Sequence, residues 1–271
     1  IFLHIGFPKT ATTSLQFAMK RNAAALREAG VCYPLIDKDF KQRYLKYFDI
    51  KAENSLATRQ MFDDQIAAMA QAIRGSGCKD AILSCEELTN FLMMRFDRSN
   101  LERLRDYLHG IDPDVRIVAY VRNPSDFYTS IVQEKLKRSG GVLPWNSFRT
   151  NFARIIGLYE EVFGGTAIVR EFHRSKLIDG SIAVDFFDAV GLGHVGAAAW
   201  EPVRTNESIS PDMLLLLDTL RQNRVDAAGP RSREDEEFLW HSLAQASRDL
   251  GKADKPVIFR HISDQVMQGN R

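Results

Sequence analysis

The sequence lacks most of the features that mark extracellular, membrane-spanning or metal-binding proteins. Its 271 residues include three cysteines, an odd number without CxxC spacing, which argues against a disulfide framework and against a zinc site. No apolar stretch reaches the roughly 18 residues of a membrane-spanning helix, and no signal peptide is visible. We therefore expect free thiols in a reducing compartment and a cytoplasmic protein. Because the sequence starts at Ile1, an upstream targeting segment stays open as an alternative.

The charge balance and the histidines exclude two further classes of function. The 36 basic and 35 acidic residues give a net charge of +1, whereas a general nucleic-acid binder is normally strongly basic. The six histidines are scattered and form neither an HxxxH nor an HExxH pair. We therefore expect no nucleic-acid partner and no metal site.

Short apolar runs alternate with longer segments of helical period over the first 180 residues. The strand-like runs are 1–5, 31–33, 81–84, 115–121 and 166–169. Within two of these, residues 82–83 and 117–121 are apolar without alternation, as strands buried on both faces should be. Helical spacing predicts helices over 15–29, closed by Gly30, and over 61–73, 100–108 and 124–137. Strand–helix–strand order of this kind predicts an α/β fold with a parallel sheet and crossover helices.

The last third of the chain has a different pattern. Strand-like runs stop near residue 180, and helical patterns follow at 182–190, 212–224 and 234–250. No linker rich in proline, glycine or serine separates the two parts. We therefore predict a single domain of residues 1–271, with an α/β core over 1–180 and a mainly helical extension over 181–271.

The turn after the first predicted strand is rich in groups that bind anions. Residues 6–14 read GFPKTATTS, which sets Lys9 ahead of three threonines and a serine. Ligands of parallel sheets bind beyond the carboxyl ends of the strands, and a helix N-terminus presents N–H groups to anions. The turn therefore predicts a phosphate site, although an ordinary hydroxyl N-cap beside a solvated lysine is the alternative. It is not a Walker A sequence, because Pro8 stands where that motif has glycine.

A second polar junction follows the fourth predicted strand. Arg122 comes at the carboxyl end of that strand, and Ser130 follows eight positions later on the next predicted helix. Helical side chains lean toward the N-terminus of their helix, so Ser130 should point back toward the strand end. It should flank an apolar face formed by Phe127, Tyr128, Ile131 and Val132. Arg122 and Ser130 could then bind one phosphate. An ion pair between Arg122 and Asp126 is the alternative.

Together the two junctions resemble the donor site of sulfotransferases that use 3′-phosphoadenosine 5′-phosphosulfate (PAPS). The stretch GFPKTATTSLQ resembles their 5′-phosphosulfate loop, and YVRNPSDFYTS resembles their 3′-phosphate motif, in which an arginine precedes a serine by eight positions. The flanking segments VCYP, ILSCEEL and TNESIS resemble the bacterial carbohydrate-type branch. The resemblance covers most of residues 1–225 and implies a P-loop-like three-layer sandwich around a parallel sheet.

The same resemblance implies in-line transfer of a sulfuryl group from PAPS to a carbohydrate or other small hydroxylated acceptor, without a metal and leaving PAP. Whether a hydroxyl or an amine accepts the group stays open, as do the identity of the acceptor and the oligomeric state. Lys9 would neutralise charge on the bridging oxygen, and the donor would be bound by Lys9, Thr10, Ala11, Thr12, Thr13, Ser14, Arg122 and Ser130. A P-loop nucleotide kinase and a non-catalytic saccharide- or nucleotide-binding module of the same fold are the alternatives.

The acceptor requires a general base, and two carboxylates follow the third predicted strand. Glu86 matches the position at which the cytosolic branch of the family carries a histidine, and we predict it as the base. The alternatives are Glu87 and Asp37, which follows VCYP where the heparan-type enzymes carry a glutamate. A purely structural role for Glu86 and Glu87, in the first turn of a helix where the dipole favours them, is the remaining interpretation.

One position departs from the family pattern. Ala11 stands where the loop of the family usually has glycine. A left-handed backbone costs a residue with a Cβ atom about 1 kcal/mol or more. We therefore predict a negative φ at Ala11.

Overall fold

The computed structural model describes residues 1–36, 40–49, 56–89, 98–138, 144–196 and 260–270, with isolated positions between 216 and 249. The chain divides into two compact units, 1–122 with 151–203 and 123–150 with 204–271. This division does not coincide with the boundary expected near residue 180, and the single domain of residues 1–271 stays a prediction. Among the described residues, no helix combines the length and the apolar character that crossing a bilayer requires.

A five-stranded, all-parallel sheet forms the centre of the first unit. Its strands are β1 (Phe2–Ile5), β2 (Val31–Cys32), β3 (Asp80–Cys85), β4 (Arg116–Val121) and β5 (Ile168–Glu171). Their spatial order is β2-β3-β1-β4-β5, so β1 lies between β3 and β4. The predicted α/β fold with a central parallel sheet is confirmed, and each predicted strand is present with its ends displaced by at most two residues.

Helices connect the strands of the first unit, and two further helices lie in the described part of the second unit. In chain order they are α1 (Thr12–Arg21), α2 (Ala23–Glu28), α3 (Leu56–Arg74), α4 (Arg98–His109), α5 (Pro124–Arg138), α6 (Phe152–Phe163), α7 (Ile182–Ala189), α8 (Gly193–Gly196) and α9 (Arg260–Gly269). Helical 3₁₀ turns lie at Arg43–Asp49, Trp145–Ser147 and Ile178–Gly180. The predicted helices at 61–73, 100–108, 124–137 and 182–190 are confirmed. Those at 212–224 and 234–250 lie outside the described residues, apart from isolated positions.

Both faces of the sheet are covered, which gives the first unit three layers. On one face, here called the α1 face, β1, β3 and β4 present Phe2, Ile82, Val118 and Tyr120 to α1, α2 and α7. The opposite face, here called the α3 face, carries Leu3, Ile5, Leu83, Cys85 and Ile117 against α3, α4 and α6. Because every second residue of a strand points to the same face, burial on both sides requires an unbroken apolar run. This is why strands β3 and β4 show no alternation in the sequence.

The predicted continuous helix over residues 15–29 is wrong, because the structure breaks it into α1 and α2 at Asn22. The Asn22 side-chain amide donates to the Ala18 carbonyl at 2.8 Å, and the Asn22 backbone leaves the helical region at φ −104° and ψ 16°. Asparagine side chains compete in this way with the backbone bonds of a helix. The predicted end is confirmed, since Gly30 follows α2 with φ +80° and donates to the Arg27 carbonyl.

An ion pair between the half-buried Arg170 and the buried Asp185 lies on the α1 face near β4 and β5. Asp185 of α7 accepts hydrogen bonds from the Tyr120 hydroxyl at 2.6 Å and from the Arg170 guanidinium at 2.7 and 3.1 Å. Burial by itself raises the pKa of the Asp185 carboxyl, but the bonds from Arg170 and Tyr120 outweigh it, and the net pKa lies below the usual value. The buried carboxylate therefore remains charged and joins the sheet to α7.

The described part of the second unit includes helices α5 and α9 and the 3₁₀ turn Trp145–Ser147. Phe127 and Tyr128 of α5 are buried, and their rings lie 5.8 and 5.1 Å from that of Phe148. The hydroxyls of Ser125 and Ser263 are 2.7 Å apart and join α5 to α9. The predicted apolar face of α5 is confirmed for Phe127 and Tyr128, whereas Ile131 and Val132 are only half-buried.

His4 is a buried titratable group in the middle of the sheet. Its Nδ1 atom lies 2.8 Å from the Ser84 hydroxyl, and its buried Nε2 atom has no hydrogen-bond partner. The ring lies edge-on to Tyr120 and Phe186, with centroid distances of 6.0 and 5.6 Å. Burial lowers the pKa of the imidazole from 6.5 to about 3, so His4 is neutral in the folded protein.

We expect His4 to make the folded protein less stable as the pH falls. Above its unfolded pKa of about 6.5 the stability is fully present. Between about 6.5 and 3 the unfolded chain binds a proton that the folded protein does not, and this costs about 2 kcal/mol by pH 5. Urea midpoints at pH 7.5 and pH 5 should therefore separate less for His4→Gln than for the wild type. His173→Gln, at an exposed position, is the control, and equal separations for His4→Gln and the wild type would contradict the assignment.

Candidate functional site

The carboxyl end of β1 lies where the chain connections separate to opposite faces of the sheet. The connection after β1 enters α1 and covers the α1 face. The connection after β3 instead leads to α4, and the one after β4 leads through residues 123–150 of the second unit to α6, so that both end on the α3 face. In open α/β sheets, such a point of separation creates the crevice that binds ligands. Residues 6–11, between β1 and α1, therefore lie at the edge where a ligand is expected.

The loop between β1 and α1 contains two left-handed residues that are not glycine. Lys9 has φ +64° and Ala11 has φ +60°, so the predicted negative φ at Ala11 is wrong. Such a conformation costs a residue with a Cβ atom roughly 1–2 kcal/mol and is concentrated at functional sites. It persists here because the chain must turn sharply from a buried strand into a helix. Alternation of φ sign along a turn directs successive N–H groups to one side, as in the anion-binding nests of phosphate loops.

The start of α1 adds a favourable electrostatic field. Ala11 is the N-cap residue, its carbonyl accepts from the Leu15 N–H at 3.1 Å, and it provides no side-chain cap for the first turn. That turn contains no acidic residue. The first N–H groups of a helix have no intrahelical acceptor and carry the positive end of the dipole. The helix start is therefore suited to an anion.

Two of the hydroxyls predicted to bind the donor form hydrogen bonds within the loop itself. The Thr10 hydroxyl donates to the Phe7 carbonyl at 2.6 Å, and the Thr12 hydroxyl lies 3.4 Å from the same oxygen. Both side chains are buried, whereas Thr13 and Ser14 are half-buried. Thr10 and Thr12 thus hold the loop in shape, and their contribution to binding an anion would come from their backbone N–H groups. The binding roles of Thr13 and Ser14 stay predictions.

Gly6 is required by the close approach of α1 to the end of β1. A Cβ atom at Gly6 would lie 2.6 Å from both Cγ2 and Oγ1 of Thr12, which is far inside van der Waals contact. Since the Thr12 side chain is buried against the Phe7 carbonyl, it has little room to move. The glycine thus allows the loop to fold back tightly on itself.

Arg122 brings the second sequence motif to the same loop. It follows β4 directly, and its Nη1 atom donates to the Lys9 carbonyl at 3.2 Å. Its guanidinium also lies 5.9 Å from the centroid of the Phe172 ring. The two cationic residues predicted from separate segments are therefore in contact, and Arg122 supports the left-handed Lys9.

Thr89 connects the loop to the segment that carries the predicted base. Its buried hydroxyl lies 2.8 Å from the Gly6 carbonyl and 3.1 Å from the Glu86 carbonyl. Ile5 pairs with Cys85 in the sheet, so Gly6 and Glu86 are the first residues beyond the two paired strands. Glu86, which is half-buried, therefore lies at the carboxyl edge next to the start of the loop.

The alternatives to Glu86 occupy different surroundings. A carboxylate oxygen of Glu87 lies 3.5 Å from the buried Cys85 sulfur, which directs this side chain toward the α3 face. Burial, followed by the Glu87 charge, raises the pKa of the Cys85 thiol well above its usual value, so Cys85 is not a reactive thiolate. Asp37 lies outside the described residues.

Ser130 lies on α5 in the second unit and is half-buried. Arg122 closes the first segment of the other unit. The predicted binding of one phosphate by Arg122 and Ser130 together stays a prediction.

Sequence reasoning missed a group of buried polar side chains that hold the end of β3. The Gln16 amide donates to the Ser84 carbonyl at 2.8 Å, and the Gln42 side-chain oxygen accepts from the Ser84 N–H at 2.8 Å. Both glutamines are buried. Thr89 was missed as well, although a threonine three residues after Glu86 at a helix start is a recognisable pattern for a local hydroxyl-to-carbonyl bond. Nothing in the sequence indicates which distant carbonyl each group binds.

No family model, curated protein or solved structure matches this chain in comparison searches. Within the described part of the chain, no group of three or more histidine, cysteine, aspartate or glutamate side chains is arranged to hold a metal ion.

We expect Gly6→Ala to destabilise the protein by about 1–3 kcal/mol, because the added methyl group overlaps the buried Thr12 side chain. Urea unfolding measures the loss. Gly157→Ala is the matched control, since Gly157 lies in α6 with open space around its Cβ position. That exchange should stabilise by roughly 0.5–1 kcal/mol. Equal stability of Gly6→Ala and the wild type would show that the contact between Gly6 and Thr12 is not tight.

Proposed function

We propose that this protein is a PAPS-dependent sulfotransferase with a P-loop-like fold. It moves a sulfuryl group to a hydroxyl or amine of a carbohydrate or other small hydroxylated acceptor, without a metal ion. The observation that carries the proposal is the contact between Arg122 and the Lys9 carbonyl. It joins the two segments that resemble the family's donor motifs at one edge of one parallel sheet, and the pair is more specific than either segment alone.

The loop would bind the 5′ end of the donor. Backbone N–H groups from Thr10 to Ser14 lie at the start of α1, with no acidic residue in its first turn to oppose an anion. Lys9 adds a full positive charge on a flexible stem. The residues present thus fit a dianionic phosphosulfate group, and the left-handed backbone at Lys9 and Ala11 is consistent with a preorganised binding loop.

Arg122 and Ser130 would bind the 3′-phosphate. A guanidinium has five N–H donors, so one contact to the Lys9 carbonyl is compatible with a bidentate contact to a phosphate. Arg122 would then serve the site twice, by supporting the loop and by binding the ligand. Ser130 would add a hydroxyl from α5.

The transfer itself would depend on Lys9 and Glu86. The Glu86 carboxylate takes the proton of the acceptor as the acceptor atom forms its bond to sulfur. The bond between sulfur and the bridging oxygen breaks, and its electron pair remains on the 5′-phosphate of PAP. Lys9 stabilises the charge that develops on this oxygen. Glu86 is favoured over Glu87 because the Glu87 carboxylate lies against Cys85.

We expect PAP to stabilise the protein against heat and ATP–Mg²⁺ to leave it unchanged. At a hundredfold excess over Kd, a ligand adds about 2.7 kcal/mol, which raises Tm by roughly 5–10 °C for a chain of this size. Differential scanning fluorimetry measures the shift. Arg122→Ala should remove most of it, whereas Arg116→Ala, an arginine at the opposite end of β4, should keep it. Stabilisation by ATP–Mg²⁺ alone would favour a nucleotide kinase and reject the proposal.

We expect Lys9→Ala and Glu86→Gln each to lower the transfer of label from radiolabelled PAPS by at least about 100-fold. The assay measures the label transferred to each member of a panel of saccharide acceptors. Glu86→Gln should still bind PAP, because the exchange leaves the loop intact, and Glu87→Gln serves as the matched control with activity close to wild type. Full turnover by Glu86→Gln would show that another group is the base.

A further inference from the structure

Thr89 joins two segments that have no strand pairing to hold them together. β1 and β3 are paired up to Ile5 and Cys85. The next residues, Gly6 and Glu86, begin the loop and the segment that carries the predicted base. The Thr89 hydroxyl lies within hydrogen-bond distance of the carbonyls of both residues, at 2.8 and 3.1 Å.

The geometry assigns the hydroxyl proton to the Gly6 carbonyl. A threonine hydroxyl has one proton to donate. The Gly6 contact is the shorter one, and the Glu86 carbonyl already accepts from the Thr89 backbone N–H at 3.2 Å. The backbone N–H therefore secures Thr89 to Glu86, while the side chain secures Thr89 to Gly6. The result is a bridge from the base segment to the phosphate loop through one buried residue.

We propose that Thr89 is a positioning residue that sets the distance between the phosphate loop and Glu86. This inference rests on the proposed function. Thr89 does not touch the reacting atoms, since its hydroxyl is buried against two backbone carbonyls. It acts by holding the segment of Glu86 in fixed register with the loop that contains Lys9. A displacement of about 1 Å in such a pair can lower a rate about 100-fold.

Removal of the hydroxyl should therefore affect the transfer step more than binding of the donor. Thr89→Val keeps the size and branching of the side chain and loses the donor. Its affinity for PAP should stay within about threefold of the wild type, because Lys9, Arg122 and the helix start are unchanged. Its single-turnover rate constant at saturating PAPS should fall by about 10–100-fold. Thr89→Ser keeps the hydroxyl and should retain the rate within about threefold.

The experiment measures PAP affinity by calorimetry and sulfuryl release from radiolabelled PAPS under single-turnover conditions, with water or a panel saccharide as acceptor. Ser76→Ala is the control, since the Ser76 hydroxyl donates to a carbonyl three residues back, that of Ile73, at the amino edge of β3. Its rate and affinity should equal those of the wild type. If Thr89→Val does not fold, Thr89→Ser provides the test. Because serine keeps the hydroxyl, a tenfold loss of the single-turnover rate constant in Thr89→Ser would reject the positioning role of that hydroxyl.

Results for the wild type test the proposed function, whereas results for the variants test the positioning role of Thr89. A wild-type protein that neither binds PAP nor releases the sulfuryl group rejects the proposed function and this inference with it. An active wild type with an equally active Thr89→Val rejects the positioning role alone. Equal losses of affinity and rate in Thr89→Val would also reject it, since they would indicate a general disturbance of the loop.

Discussion

Strand β1 is hydrogen-bonded on both sides, by β3 and by β4, and its side chains are buried on both faces of the sheet. This central position determines where the candidate site can form. Parallel pairing brings the carboxyl ends of the three strands to one edge, so that Gly6, Glu86 and Arg122 emerge close together. Of these three strands, only β1 is followed by a helix on the α1 face, and such a point of separation is where open α/β sheets bind ligands.

The loop at this edge is held by contacts from both neighbouring strands. Arg122, after β4, binds the Lys9 carbonyl, and Thr89, after β3, binds the Gly6 carbonyl. Within the loop, Thr10 and Thr12 donate to the Phe7 carbonyl. These bonds offset the cost of two left-handed residues with Cβ atoms, which the loop would not keep on its own. The strain and the bonds that stabilise it therefore belong to one arrangement.

The sequence predicted the strands and most of the helices because burial requires a periodic pattern of apolar residues. It failed where a polar side chain competes with the backbone, as at Asn22, which divides the predicted helix over 15–29. Helix α6 was not predicted, although the spacing of Ile155, Tyr159 and Val162 is helical and Gly164 closes it. The prediction of a negative φ at Ala11 was wrong. An intrinsic backbone preference worth about 1 kcal/mol is easily outweighed by packing and hydrogen bonds.

The sequence by itself determined that a parallel α/β sheet would form and that Lys9, Glu86 and Arg122 would follow strand ends, because these features depend on local composition and period. Only the tertiary structure decided the strand order, which carbonyl each polar side chain binds, and that Arg122 and Thr89 reach the same loop. The physical reason is that these bonds join residues 83 and 113 positions apart in the chain. Their geometry depends on how the strands are ordered in the sheet, and no local pattern encodes that order.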